Sequence, residues 1–436
     1  MKWRDGIDRL IRRSRTTDIQ KSRSPSTPAP LSRKHIAELD GLRGFAILLV
    51  LITHFWTYPG DTQRLNHIAG AGWMGVDLFF VLSGFLITGI LWDARGKKRY
   101  FTNFIARRTL RIFPLYYLLL LVVFILLPTI GLAGDSRPWQ EDGWLYFFHL
   151  SNFALASGGW QTFALDITWS LSIEEQFYLV WPLVVRFLNL RRILAFCLSI
   201  VILVPIARWA GFQWLGLDWM WMHMMMPLRT DGFALGALVA LAWKEDLVSP
   251  ALMKALAVGT AAVTGPLLLF LIVLGAFGRE TILVGTIGYS LVALLSAALI
   301  VIAIYPGTLT HRVLTRPSLR HLGTVSYGVY VFHPLCFLAV VTIGDRVGLG
   351  AFSATSHPVF DGVLFMLFVS LVSVAFASLL FEWFEKPILR LKQHFPTDDP
   401  TRPREGPEGT KKRPTEKRFA PGRKPTSARV SDGPVL

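Results

Sequence analysis

The chain has 436 residues, of which 52% are hydrophobic and only 17% charged, and its formal net charge is +16. So little charge cannot coat a soluble protein of this length, which excludes a soluble enzyme and implies a polytopic membrane protein. The Lys and Arg lie mostly in short loops beside apolar runs, where they set topology in a bilayer; nucleic acid is therefore not the expected partner.

Residues 1–35 hold no apolar signal-peptide core and are dominated by Arg, Ser and Pro. They read as a basic, disordered cytoplasmic segment, with the first hydrophobic helix as its own insertion signal. Apolar runs then predict ten transmembrane helices over about 41–58, 73–94, 112–132, 168–189, 192–210, 229–243, 253–274, 283–305, 323–344 and 360–385. The sixth is short. Residues 142–157 (EDGWLYFFHLSNFALA) are amphipathic and aromatic, which suits the membrane interface rather than a crossing. The expected fold class is thus an all-α membrane helix bundle over 36–390, followed by a disordered basic tail over 391–436 that anionic lipid head groups attract. No second folded domain and no internal repeat is visible. Cys197 and Cys336 both sit in apolar runs, so neither a disulfide framework nor a metal site is expected.

Loop charge gives the orientation. The N-terminus, DARGKKRYFTNFIARRTLR, RFLNLRR, HRVLTRPSLR and the tail are basic, whereas DTQRLNH, GRETIL and GDRVGLG carry one or two Lys or Arg each. Ten crossings place every basic segment on one side, with both termini cytoplasmic.

Ionisable residues at membrane depth are costly and are functional candidates by default. Arg43 and His54 are eleven residues apart, close to three helical turns, so they share a face about 16 Å apart along the axis. A guanidinium at the cytoplasmic mouth suits the phosphates of a nucleotide-bearing donor, and a buried imidazole suits deprotonation of a hydroxyl. The bland alternative makes Arg43 a topology charge and His54 a packing residue. Asp77 enters the second helix at a depth like that of His54, either to fix its tautomer or simply to bind water. Glu174 and Glu175 point about 100° apart on the fourth helix, so at least one should face a polar cavity; the other either has a functional place too or simply pairs with an arginine elsewhere. Arg108 and Arg111 share a face beside the third span, as a phosphate clamp or as positive-inside charge. Arg229 and Asp231 open the sixth span, either for substrate or merely to pair with each other. Tyr327, Tyr330 and His333 lie in the ninth, where His333 before Pro334 either lines a path or caps a helix break. FEWFEKP reads as an interfacial anchor.

The segments LDGLRGFAILLVLITHF, GVDLFFVLSGFLIT, ARRTLRIFPLYY, WSLSIEEQFYLVWP, RTDGFALGALVA and SYGVYVFHPL resemble, in order, those of the acyltransferase-3 family of integral membrane O-acyltransferases. The resemblance implies an acyl group, commonly acetyl, taken from cytosolic acyl-CoA and delivered to a hydroxyl of an extracytoplasmic or lipid-linked glycan. It further implies His54 as the catalytic histidine, Arg108 and Arg111 on the CoA side, and Glu174 and Glu175 as the acidic motif. Some members carry an additional hydrolase-like domain that has no counterpart here, so a stand-alone enzyme without a metal is expected. Arg229, Asp231, Tyr327 and His333 are the residues expected to meet substrate. The rival classes are a proton-coupled secondary transporter, relaying through His54, Asp77 and Glu174, and a non-catalytic scaffold for polysaccharide assembly.

Overall fold

The structure, a computed structural model, describes residues 36–56, 63–131, 137–347 and 358–396. The basic segments expected at 1–35 and from 397 onward lie outside them. The helices run in chain order as α1 (Ala37–Phe55), α2 (Gln63–Gly70), α3 (Met74–Ala94), α4 (Tyr100–Leu121), α5 (Arg137–Phe147), α6 (Ser151–Gly158), α7 (Thr168–Phe187) and α8 (Leu190–Trp214). They continue with α9 (Trp219–Met224), α10 (Thr230–Lys244), α11 (Pro250–Val273), α12 (Tyr289–Ile304), α13 (Leu309–Leu314), α14 (Pro317–Arg346), α15 (Pro358–Leu380) and α16 (Lys386–Arg390). Among the described residues there are no strands.

Each of the ten apolar stretches is helical, but seven helical spans are long and apolar enough to cross a bilayer on those criteria alone. The other three are α1, α7 and α10. The first two carry charges along their length, and α10 has only 15 residues. All three bury a face in the bundle, although α7 leaves Leu179, Val180, Leu183 and Phe187 exposed. α1 buries residues on every turn and packs on α14 and α3, while α10 packs on α3. By contrast, only 22% of the most apolar window of α8, of α11 and of the span containing α15 is buried by protein, so lipid must cover the rest. Side chains such as Ile202, Leu203, Leu367 and Leu371 line that outer surface.

Small residues let the interior helices touch. A Cβ on Gly236 of α10 would meet the backbone of Val81, and one on Gly323 of α14 would meet that of Asp40. α5 and α6 are too short to cross and break at His149, which adopts a positive φ of 55°. Two boundaries differ usefully from the apolar pattern. α4 begins at Tyr100, so Arg107, Arg108 and Arg111 stand on the helix rather than before it. α14 runs unbroken through Pro334, so His333 caps no helix end.

Candidate active site

α1, α3, α4, α7 and α14 enclose a polar cleft of about 90 Å³, room for several waters. Arg43, Arg108 and Arg111 line it, together with Ser83, Ser170, Glu174, Tyr178, Ser326, Tyr327 and Tyr330. The eleven-residue spacing explains Arg43, and the three-residue spacing explains why Arg108 and Arg111 enter together. Arg43 donates to Asp40 at 3.1 Å one turn earlier. Arg108 lies over the rings of Phe104 and Tyr178, at 5.7 and 5.6 Å, and neither it nor Arg111 has a carboxylate at salt-bridge distance among the described residues. Arg107 faces elsewhere and donates to the carbonyls of Lys392 and Phe395.

Glu174 faces the cleft and is held by neutral donors: Ser83 Oγ at 3.1 Å and Tyr178 Oη at 3.0 Å. Glu175 points away. Its Oε1 has no hydrogen-bond partner, and the expected arginine pairing is not formed. Tyr327 donates to the Ile112 carbonyl at 2.8 Å, tying α14 to α4 beside the cleft. Tyr330, at the side of the cleft nearest His333, contacts Ser170 Oγ at 2.5 Å and donates to the Ile167 carbonyl.

Beyond Tyr330 stand two imidazoles. The His333 ring is 6.0 Å from that of Tyr330, and the His54 ring lies edge-on to His333 at 4.7 Å. Pro334 supplies no N–H to the Tyr330 carbonyl, four residues back. His333 Nδ1 takes that place at 2.8 Å. His54 Nδ1 binds the Val50 carbonyl, likewise at 2.8 Å. A carbonyl only accepts, so each Nδ1 carries the proton and each Nε2 keeps a lone pair. His333 is fully buried and its Nε2 has no partner. His54 is half-buried, with Phe163 at 6.3 Å.

The remaining expected site residues fall elsewhere. Asp77 does not orient His54; it pairs with Arg229 at 2.5 Å, both being buried. Nor does Asp231 pair with Arg229. It meets Arg208 of α8 at 2.9 Å and accepts from Ser290. Arg208 also donates to Ser290 and to the carbonyls of Thr286 and Leu228, while Arg229 lies 3.7 Å over Tyr289, which contacts His223. This network pins α3, α8, α10 and α12 together. Sequence reasoning passed over Arg208, although an arginine in an apolar span is the signal that selected Arg43. His54, Asp77 and Glu174 share no direct hydrogen bond or ion pair among the described residues.

A helical membrane bundle whose interior cleft is lined by three arginines, with paired imidazoles beyond Tyr330, defines the class: an integral membrane protein with charged groups in its interior. The acyltransferase domain family model (Acyl_transf_3) matches residues 36–382, and the chain belongs to that family. It is 29% identical over 373 residues to the putative peptidoglycan O-acetyltransferase YrhL of Bacillus subtilis, covering 81% of this chain and 55% of that one. It is also 31% identical over 323 residues to the peptidoglycan O-acetyltransferase OatA of Listeria monocytogenes, covering 69% and 49%. The O-acetyltransferase OatA of Staphylococcus aureus is 29% identical over 321 residues, covering 69% and 50%. The chain thus spans about half the length of these relatives. No solved structure matches it.

Proposed function

We propose that this chain is a membrane O-acetyltransferase that moves an acetyl group from cytosolic acetyl-CoA to a hydroxyl of a cell-wall glycan on the opposite face. In this reading α1, α7 and α10 complete ten crossings, and both termini lie with the arginine mouth in the cytoplasm. The observation that carries the proposal is the cleft itself. Three arginines line it together with Tyr330, beyond which the ring of His333 lies 4.7 Å from that of the half-buried His54.

The donor's phosphates bind Arg43, Arg108 and Arg111, whose charge no carboxylate in the cleft fully neutralises. A space of about 90 Å³ accommodates the acetyl-thioester end and excludes the nucleotide, which stays at the mouth. Glu174 limits the repulsion among the three guanidiniums. The thioester passes the Ser170–Tyr330 contact toward the imidazoles. His54 Nε2 then takes the proton of the acceptor hydroxyl as its oxygen attacks the thioester carbonyl. The C–S bond breaks, the CoA thiolate leaves, and the imidazolium returns its proton to the sulfur. The Val50 carbonyl fixes the tautomer. His333 packs against the reacting ring, and its own free Nε2 offers a second resting place for the proton.

The test is transfer of radiolabel from acetyl-CoA to cell-wall glycan in membranes carrying wild-type or His54→Ala protein. Removal of a general base should cut the rate about 10²–10⁴-fold at unchanged protein level. Normal labelling in the variant would refute the role of His54, and a wild-type protein that moves no label would refute the acetyltransferase reading.

A further inference from the structure

On the His54 side of the bundle, outside the cleft, Arg279 lies against two tryptophans. Its guanidinium carbon is 5.2 Å from the ring centre of Trp160 and 5.5 Å from that of Trp219, and the two rings are 6.2 Å apart. No hydrogen bond or salt bridge engages Arg279 among the described residues, where its contacts are the two indole rings. A guanidinium beside two aromatic rings, with no hydrogen-bond or salt-bridge partner among the described residues, suits a planar anion.

The same segment that carries Trp160 also carries Phe163, which packs 6.3 Å from His54. Both rings are open to the outside, at 40% and 41% exposure. Their placement is fixed from below. Asp166 accepts from the N–H groups of Gln161 and Thr162, at 2.9 and 3.0 Å, which folds residues 160–166 into a tight turn. Asp218 likewise caps α9 and sets Trp219 at its first turn. The rim therefore sets two tilted indole rings and one cation on the segment whose Phe163 packs beside the proposed base.

Resting on the acetyltransferase reading above, we propose that Trp160, Trp219 and Arg279 form the acceptor subsite and that it selects a saccharide bearing a carboxylate near the acetylated hydroxyl. A pyranose ring stacks its C–H face on Trp160, and the carboxylate takes two N–H donors of Arg279. The sugar's hydroxyl then projects past Phe163 toward His54 Nε2. A neutral sugar keeps the stacking and loses the anchor.

The experiment uses the full chain in zwitterionic phosphatidylcholine nanodiscs. The probe is a radiolabelled N-acetylglucosaminyl–N-acetylmuramic acid disaccharide, with its carboxylate free or converted to an amide. Wild type should bind the free acid about tenfold more tightly than the amide, the worth of one charge-assisted bidentate contact. Arg279→Gln should abolish that preference, Arg279→Lys should retain part of it, and Trp160→Ala should weaken both probes alike. His54→Ala should bind like wild type while transferring no acetyl group. Unchanged preference in Arg279→Gln, or no binding of either probe to wild type, would overturn the subsite. So would an Arg279→Gln protein that loses only its retention of added phosphatidylglycerol, which would make the platform a lipid contact. Failure of the acetyltransferase reading shows separately, as absent label transfer by wild type, because the binding arms need no acetyl donor.

Discussion

Around Arg208 and Arg229 each guanidinium is buried and meets a carboxylate, Asp231 or Asp77, at 2.9 Å or less. Around the cleft, Arg108 and Arg111 meet none among the described residues, and Glu174 is satisfied by hydroxyls. The residue types are the same. What differs is whether the charge has been cancelled inside the protein. A cancelled pair offers nothing to a ligand and holds four helices together, whereas an uncancelled cation beside a space of about 90 Å³ remains available to a polyanion.

The contrast can be broken most forcefully at Arg208. Arg208→Leu leaves Asp231 buried and unpaired, which should cost about 3–5 kcal/mol and greatly reduce folded protein recovered in detergent. Adding Asp231→Leu should restore much of that loss; a double variant as unstable as the single one would show that the network is not mainly an ion pair. The next effect belongs to the cleft. Arg108→Ala with Arg111→Ala should leave the melting temperature near wild type and raise the acetyl-CoA concentration needed for half-maximal labelling about 10–100-fold. A shifted melting curve with unchanged donor requirement would move these arginines into the structural group. The smallest effect is expected from Tyr330→Phe, which removes the Ser170 contact and about 1 kcal/mol. It should change labelling severalfold at most, with stability nearly intact; abolished labelling would give the hydroxyl a chemical role.

Much of the bundle was legible because apolar length and loop charge are local properties of the chain. All ten helices could be placed from them, and the cleft triad of Arg43, Arg108 and Arg111 followed from helical spacing. Pairing was less legible. Asp77 and His54 lie at similar depths, but depth says nothing of azimuth, and the packing of α10 on α3 gives Asp77 to Arg229 instead. The same gap hid Arg208, whose importance comes from Asp231 and Ser290 on other helices. α4 began twelve residues early because its first turns are polar on the cleft side, which an apolar window discards. His333 looked like a helix terminator beside Pro334, yet continuous packing of α14 on α1 carries the helix through.

That proline has one more implication. By removing an amide donor it creates an orphan acceptor within a membrane helix, and the preceding imidazole is recruited to quench it. The ring is thereby locked in a single protonation pattern by the backbone rather than by any acid nearby. Alanine at position 334 would return the missing donor to the Tyr330 carbonyl and free the imidazole to rotate. Such a change would loosen the ring packed against His54 without touching a single reacting atom.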